Sequence, residues 1–164
     1  KAERAKQIDY IPYMKTGVSI AVSSARGLSF KKPEDLCGYK VGSIKGGAWI
    51  ENLMALNQTV CKGKPIDSRE FPSSPEATQA LLSGGVDAQM EDSAVLQDAV
   101  GKLRGKMKIS STENHYPVVV GLGVRKGNEE LAATIRKAMA TLEKNGTYNV
   151  SKPTEAEFKA ALAK

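Results

Sequence analysis

Apolar positions recur along this chain of 164 residues with two periods. Short runs that alternate, or are continuously apolar and β-branched, predict strands at 18–23 (Val-Ser-Ile-Ala-Val-Ser), 39–44, 66–71, 86–90 and 117–124, the last strongly apolar and so a buried strand. Between them the spacing becomes helical. Helices are predicted from about Ala48 to about Leu56, from Ser74 with Ala77, Leu81 and Leu82 on one stripe, and from about Ser93 to Leu103. Another starts at Asn128 and carries Leu131, Ile135, Ala138, Met139 and Leu142 on one face, and a last amphipathic piece runs from Pro153 to Leu162. The punctuation agrees with these periods. Ser74 before Pro75, and Asn128, are read as helix caps, Gly84-Gly85 and Asn145-Gly146 as stops, and Lys32-Pro33-Glu34-Asp35-Leu36 as a short helical turn. Strands alternating with helices of this length predict an α/β fold with a mostly parallel sheet.

In open α/β sheets, ligands bind where strands end and helices begin. Two distant stretches end in this way. The first, Cys37-Gly38-Tyr39-Lys40-Val41-Gly42-Ser43-Ile44-Lys45-Gly46-Gly47-Ala48-Trp49, is a strand, a Gly-Gly turn and a helix start. Such a turn leaves backbone N–H groups pointing outward at the positive end of a helix dipole, which suits a carboxylate or phosphate. An ordinary tight βα connection reads the same way. The second, Gly84-Gly85-Val86-Asp87-Ala88-Gln89-Met90-Glu91-Asp92, closes on a carboxylate that also reads as the cap of the next helix. Together they predict a small-molecule site with a positive helix end beside an acid.

Composition narrows the functions open to this fold. Apolar residues make up 41% of the chain, as in globular proteins, and no apolar run is long enough for a transmembrane helix. A net charge of +6 raises nucleic acid as a partner. The basic residues are dispersed, however, in pairs such as Lys31-Lys32 and alternations such as Lys102-Leu103-Arg104-Gly105-Lys106. Zinc-ligand spacing is missing, and aromatics, at 5%, are too few for base stacking. No nucleic-acid partner, metal or cofactor is expected; small anionic solutes or acidic membranes suit the charge equally. Enzyme chemistry is not expected either. His115, the single histidine, has no Ser or Cys partner at a recognisable spacing, and strand alternation puts Glu91 on the opposite side from Asp92.

Cys37 precedes the first strand–helix pair and Cys61 follows it. Because the helix of a βα unit returns antiparallel to its strand, the two cysteines come together and a disulfide is expected, with two buried free thiols as the alternative. Closing that loop is worth about 3 kcal/mol in the chain-entropy model. A bridge there implies an oxidising, extracytoplasmic location. The chain opens with Lys1 rather than Met and shows no signal peptide, which reads as a processed product or a fragment.

Several motifs follow one another along the chain: Glu3-Arg4 with Asp9-Tyr10-x-Pro12-Tyr13, then Pro33-Glu34-Asp35-Leu36-Cys37-Gly38, then Val41-Gly42 with Gly46. After them come Ala80-Leu81-x-Ser83-Gly84 with Asp87-Ala88 and Asp92, and Gly121-x-Gly123-Val124-x-Lys126-Gly127. In this order they resemble the family 3 extracellular solute-binding proteins, the amino-acid receptors of ABC importers, over nearly the whole chain. The paired cysteines resemble one branch of that family. The resemblance implies a periplasmic-binding-protein type 2 fold whose lobe has three αβα layers. Residues 1–17 would end lobe one and enter the hinge, 18–120 would form lobe two, and 121–164 would return to lobe one. It implies that Arg4 grips a ligand α-carboxylate with its guanidinium fork, that Ile44, Gly47 and Ala48 add contacts around the helix start, and that Asp92 takes the α-ammonium. The family often has Ser and Thr at the positions of Gly47 and Ala48, and this chain lacks both hydroxyls. Trp49 stands where the family is often polar, and it is read equally as ligand packing or as core.

Against the family pattern, the first half of lobe one is missing. The function implied is an extracytoplasmic (periplasmic or extracellular) protein that binds an amino acid or related zwitterion for an ABC importer permease, with weak or no binding by this shortened chain. An isolated lobe with no ligand function is the alternative; a cyclohexadienyl-dehydratase-like enzyme on the same fold stands further off. The apolar face of the helix at 128–145 would normally cover the missing sheet, so it is expected to fold back onto lobe two or to form a homodimer.

Overall fold

Strand β2 (Lys40–Ile44) organises the larger part of the molecule. It pairs in parallel with β3 (Asp67–Phe71) and β4 (Ala88–Asp92), Val41 standing opposite both Ser68 and Ala88. The long strand β1 (Ile8–Ser23) runs antiparallel to β4, with Val18 opposite Asp92, and β5 (Met107–Ile109) lies antiparallel to β1. The resulting order is β3-β2-β4-β1-β5, and β6 (His115–Arg125) pairs with β1. The structure, a computed structural model, describes residues 6–162. It divides into two compact units, Gly17–Tyr116 and Lys1–Thr16 with Pro117–Lys164.

In the unit Gly17–Tyr116, helices α1 (Ile50–Gln58), α2 (Ser74–Ser83) and α3 (Ser93–Lys102) cover the sheet. Successive residues of β1 point to opposite faces, as a strand requires. Val18, Ile20 and Val22 join Leu36, Val41, Trp49, Leu53 and Met90 in one core, and Ala21 joins Leu81, Val86, Leu96 and Met107 in the other. A sheet buried on both faces accounts for the continuous apolar run at 18–23 and makes this unit a three-layer α/β structure. Cys37 and Cys61 are joined by a disulfide, their Cα atoms 5.1 Å apart, so the bridge and not the pair of free thiols is present.

The local signals place the caps with one correction. The hydroxyl that accepts the Glu76 N–H at the start of α2 belongs to Ser73, not Ser74. The spacing Ser73-x-x-Glu76, with Ser73 Oγ donating to Glu76 Oε1 at 2.7 Å, is the capping-box signal that separates the two serines. Gly84 ends the helix in the left-handed conformation, at φ 81°. Strand β1 begins at Ile8 rather than at residue 18, and β5 was too short to show a period.

The other unit holds the first part of β1, β6 and helices α4 (Glu129–Lys144) and α5 (Glu155–Leu162). Asn128 caps α4 by accepting the Leu131 N–H. The run at 117–124 is a strand, but within β6 only Val124 is fully buried, and Leu122 is exposed. Ala132, Ile135 and Met139 of α4 pack on Ile11 and Val124. The apolar face of this helix is therefore covered in part within its own unit, while Leu131, Ala138 and Leu142 stay exposed, and no observation supports a homodimer through it.

Candidate functional site

Parallel pairing puts the carboxyl ends of β2 and β4 side by side. Ser43 Oγ donates to the Met90 carbonyl at 3.0 Å, and the Lys45 N–H donates to the Phe71 carbonyl at 2.8 Å, so β2 is held on both sides up to its last residue. Beyond Ile44 the chain turns sharply. Gly46 sits at φ 74°, a conformation a side chain would strain, and its N–H donates to Glu70 Oε2 at 3.2 Å. Helix α1 then begins without a side-chain cap. The other four helices each have one: Ser73, Asp92 and Asn128 for α2, α3 and α4, and Thr154, whose hydroxyl accepts the Glu157 N–H, for α5. The Ile50 N–H is held by the Gly47 carbonyl at 3.2 Å, so what α1 offers an anion is a positive dipole end with no side-chain cap in the way.

The residues singled out in the sequence fall as follows. Ile44 ends β2, and Asp92 ends β4 one strand away. Ala48 is exposed, and its N–H donates to no group among the described residues. The Gly47 N–H does not point outward: it closes the corner by donating to the Ile44 carbonyl at 3.2 Å. Asp92 Oδ1 accepts the Ala94 N–H at 2.9 Å and so caps α3. A carboxylate has about four acceptor positions, so a capping role is compatible with a further contact. Arg4 lies outside the described residues.

Trp49 is 8% exposed and belongs to the core, where its indole N–H donates to Ser43 Oγ at 3.2 Å. Its ring lies against Gly47. A Cβ at position 47 would stand 2.8 Å from ring atoms Cε2 and Cζ2. This explains why the corner carries a bare glycine where a hydroxyl residue was the family expectation: a bulky neighbour two residues on fills the space. Gly47→Ala is expected to force the ring aside and to cost about 1–3 kcal/mol in urea unfolding.

Two acids at this end of the sheet were not legible as site components. Glu70, at the end of β3, holds the Gly46 N–H. Glu91 is only 3% exposed. Its carboxylate accepts from Ser74 Oγ at 2.9 Å, and the backbone of Asp92 and of Ile44 lies near enough to favour its ionised form. Burial holds its carboxyl above the ordinary glutamate range, against the pull of those groups; the nearby Asp92 charge adds to the rise. Because the folded-state value is raised, the Glu91 contribution to stability is complete below the unfolded value and is lost as pH rises through the folded one. Urea unfolding is therefore expected to show a stability loss, as pH rises above the ordinary glutamate range, that the Glu91→Gln variant lacks.

A family model, that of the bacterial extracellular solute-binding proteins, family 3, matches residues 1–152. The chain belongs to this family. Among curated family 3 relatives, the L-cystine-binding protein TcyJ of Escherichia coli is 31% identical over 146 residues, which is 88% of this chain and 52% of TcyJ. The ABC transporter glutamine-binding protein GlnH of Bacillus subtilis is 28% identical over 149 residues, 90% of this chain and 51% of GlnH. The chain thus spans about half the length of the curated relatives it matches. Solved structures agree with the fold. An ancestral arginine-binding protein bound to glutamine is 34% identical with a TM-score of 0.74, covering 90% of this chain and 63% of that one. Holo ArgBP from T. maritima is 27% identical with a TM-score of 0.69, covering 87% and 60%.

Proposed function

We propose that this family 3 chain supplies one wall of an amino-acid site in an extracytoplasmic solute-binding protein that serves an ABC importer. The observation that carries the reading is the parallel pairing of β2 and β4, with the uncapped start of α1 at the tip of one and Asp92 at the tip of the other. A zwitterion has the matching ends. Its carboxylate would sit at the Ala48 N–H beside Ile44 and Gly47, and its ammonium at Asp92, a charge-assisted contact at each end. The disulfide agrees with a periplasmic or extracellular location. TcyJ, GlnH and the arginine-binding proteins, named for amino-acid ligands, support the ligand class.

Calorimetric titration with L-arginine, L-glutamine and L-cystine tests this. This chain by itself is expected to bind weakly, in the millimolar range, with Asp92→Asn weaker still. Micromolar or tighter binding would contradict the expectation that contacts in this chain are only part of the site; no binding of any of the three would contradict the site itself and favour a lobe without ligand function. An enzyme is the less supported reading, because Glu91, an acid whose carboxyl burial holds above the ordinary range, is buried and bonded to Ser74 Oγ.

A further inference from the structure

We infer that Asn114, on the segment between β5 and β6, is a positioning residue for Asp92 that acts through Ser93; this rests on the amino-acid reading above. Ser93 opens α3 and is 2% exposed, and Ser19 of β1 is equally buried. The Ser93 hydroxyl stands 2.9 Å from the Gly17 carbonyl and 2.7 Å from Asn114 Oδ1, within donating reach of both. Ser19 Oγ lies 2.8 Å from Ser93 Oγ and 3.1 Å from Asn114 Oδ1. A strand, a helix start and the segment entering β6 therefore meet at one buried polar junction, all of it within the unit Gly17–Tyr116. Asp92 borders this junction. Its Oδ1 accepts the Ala94 N–H at 2.9 Å, a bond that reaches over Ser93. The carboxylate thus takes its direction from a short turn, and the junction pins the middle residue of that turn.

The strand pairing explains why these residues meet. Val18 stands opposite Asp92 and Ser19 opposite Glu91, so Gly17 falls beside Ser93. A Cβ at position 17 would stand 2.7 Å from Asn114 Cβ and 2.9 Å from the His115 carbonyl oxygen. The bare glycine lets Asn114 lie close across β1 and reach both serines. The segment that carries Asn114 is itself fixed on β1 and its surroundings. The Ser110 N–H donates to the Ile20 carbonyl at 2.7 Å, the Ile20 N–H donates to Ser111 Oγ at 3.1 Å, and His115 Nε2 donates to the Lys31 carbonyl at 3.2 Å. Asn114 is an exposed residue, yet its Oδ1 is turned inward onto two buried hydroxyls. Replacing hydrogen-bonded partners by apolar groups of the same shape is close to neutral for stability. Stability alone therefore does not account for a polar junction at this point. What hydrogen bonds add is fixed distance and angle. The ammonium contact proposed at Asp92 depends on both.

The test compares the wild type, Asn114→Ala, Ser93→Ala and Gly17→Ala as 15N-labelled full chains. Each is titrated by NMR with L-arginine and with its desamino analogue, which keeps the carboxylate and the guanidinium and lacks the α-ammonium. Asn114→Ala is expected to shift the Ser93 and Ala94 amides and to weaken L-arginine binding about fivefold. Binding of the desamino analogue should not change, because it makes no contact that Asp92 directs. Ser93→Ala should show the same selective loss, and so should Gly17→Ala, whose added methyl pushes Asn114 aside. If Gly17→Ala does not fold, Asn114→Ala still decides, since it alters an exposed position. A loss in Asn114→Ala that falls equally on both probes, or on neither, would overturn the inference and leave the amino-acid reading standing. Ser93 and Ala94 amides that ignore Asn114→Ala would overturn it too. A wild type that binds L-arginine no more tightly than the desamino analogue would sink the amino-acid reading itself, and the two amides would still decide whether Asn114 sets the start of α3.

Discussion

Replacing Trp49 by alanine is expected to cost the Gly17–Tyr116 unit about 3–5 kcal/mol. The side chain is almost wholly buried, packs with Leu53, Val41 and Met90, and fills the space over Gly47. Its loss opens a cavity under the start of α1 and removes the donor on Ser43 Oγ. Trp49→Phe should cost less, since it keeps most of the packing and loses chiefly the indole hydrogen bond. Urea unfolding of the three proteins decides the matter. A cost below about 1 kcal/mol for Trp49→Ala would mean that the ring is not a core element and would return it to the ligand side.

Removing the disulfide is the second large effect. The bridge joins Cys37, just before β2, to Cys61, just after α1, at a separation of 24 residues. Everything between them is the strand, the glycine corner and the helix whose start is the proposed anion site. Cys37→Ser with Cys61→Ser is expected to lower stability by about 3 kcal/mol through the freed unfolded chain. A reductant should do the same to the wild type and nothing to the double variant. Equal unfolding midpoints for the wild type with and without reductant would contradict this role.

The parts of the fold that were legible in the sequence are those decided locally or by period. The strand–turn–helix from Lys40 onward, the Asn128 cap and the Gly84 stop are each specified by residues within a few positions of one another. The cysteine pairing followed from the return of one helix along one strand. What stayed hidden depends on neighbours far apart in sequence. Glu91 was placed on the correct side of its strand, yet its donor, Ser74, lies 17 positions away. Glu70 meets Gly46 across 24 positions, with no motif to announce it. The Trp49 ring over Gly47 is close in sequence, but which way the ring turns is set by Ser43 and the core beneath. The outward-pointing Gly47 amide failed for a similar reason: the turn that makes the corner also uses that N–H.

The central claim is that the tips of β2 and β4 hold the two ends of one zwitterion. The most direct measurement is the map of backbone amides that shift when L-arginine, L-glutamine or L-cystine is added to the 15N-labelled chain at millimolar concentration. The account predicts shifts concentrated at residues 44–49 and 92–94, reduced by Asp92→Asn and absent with agmatine, which keeps the side chain of arginine and lacks its carboxylate. Shifts that leave both tips untouched, or that agmatine reproduces in full, would contradict it.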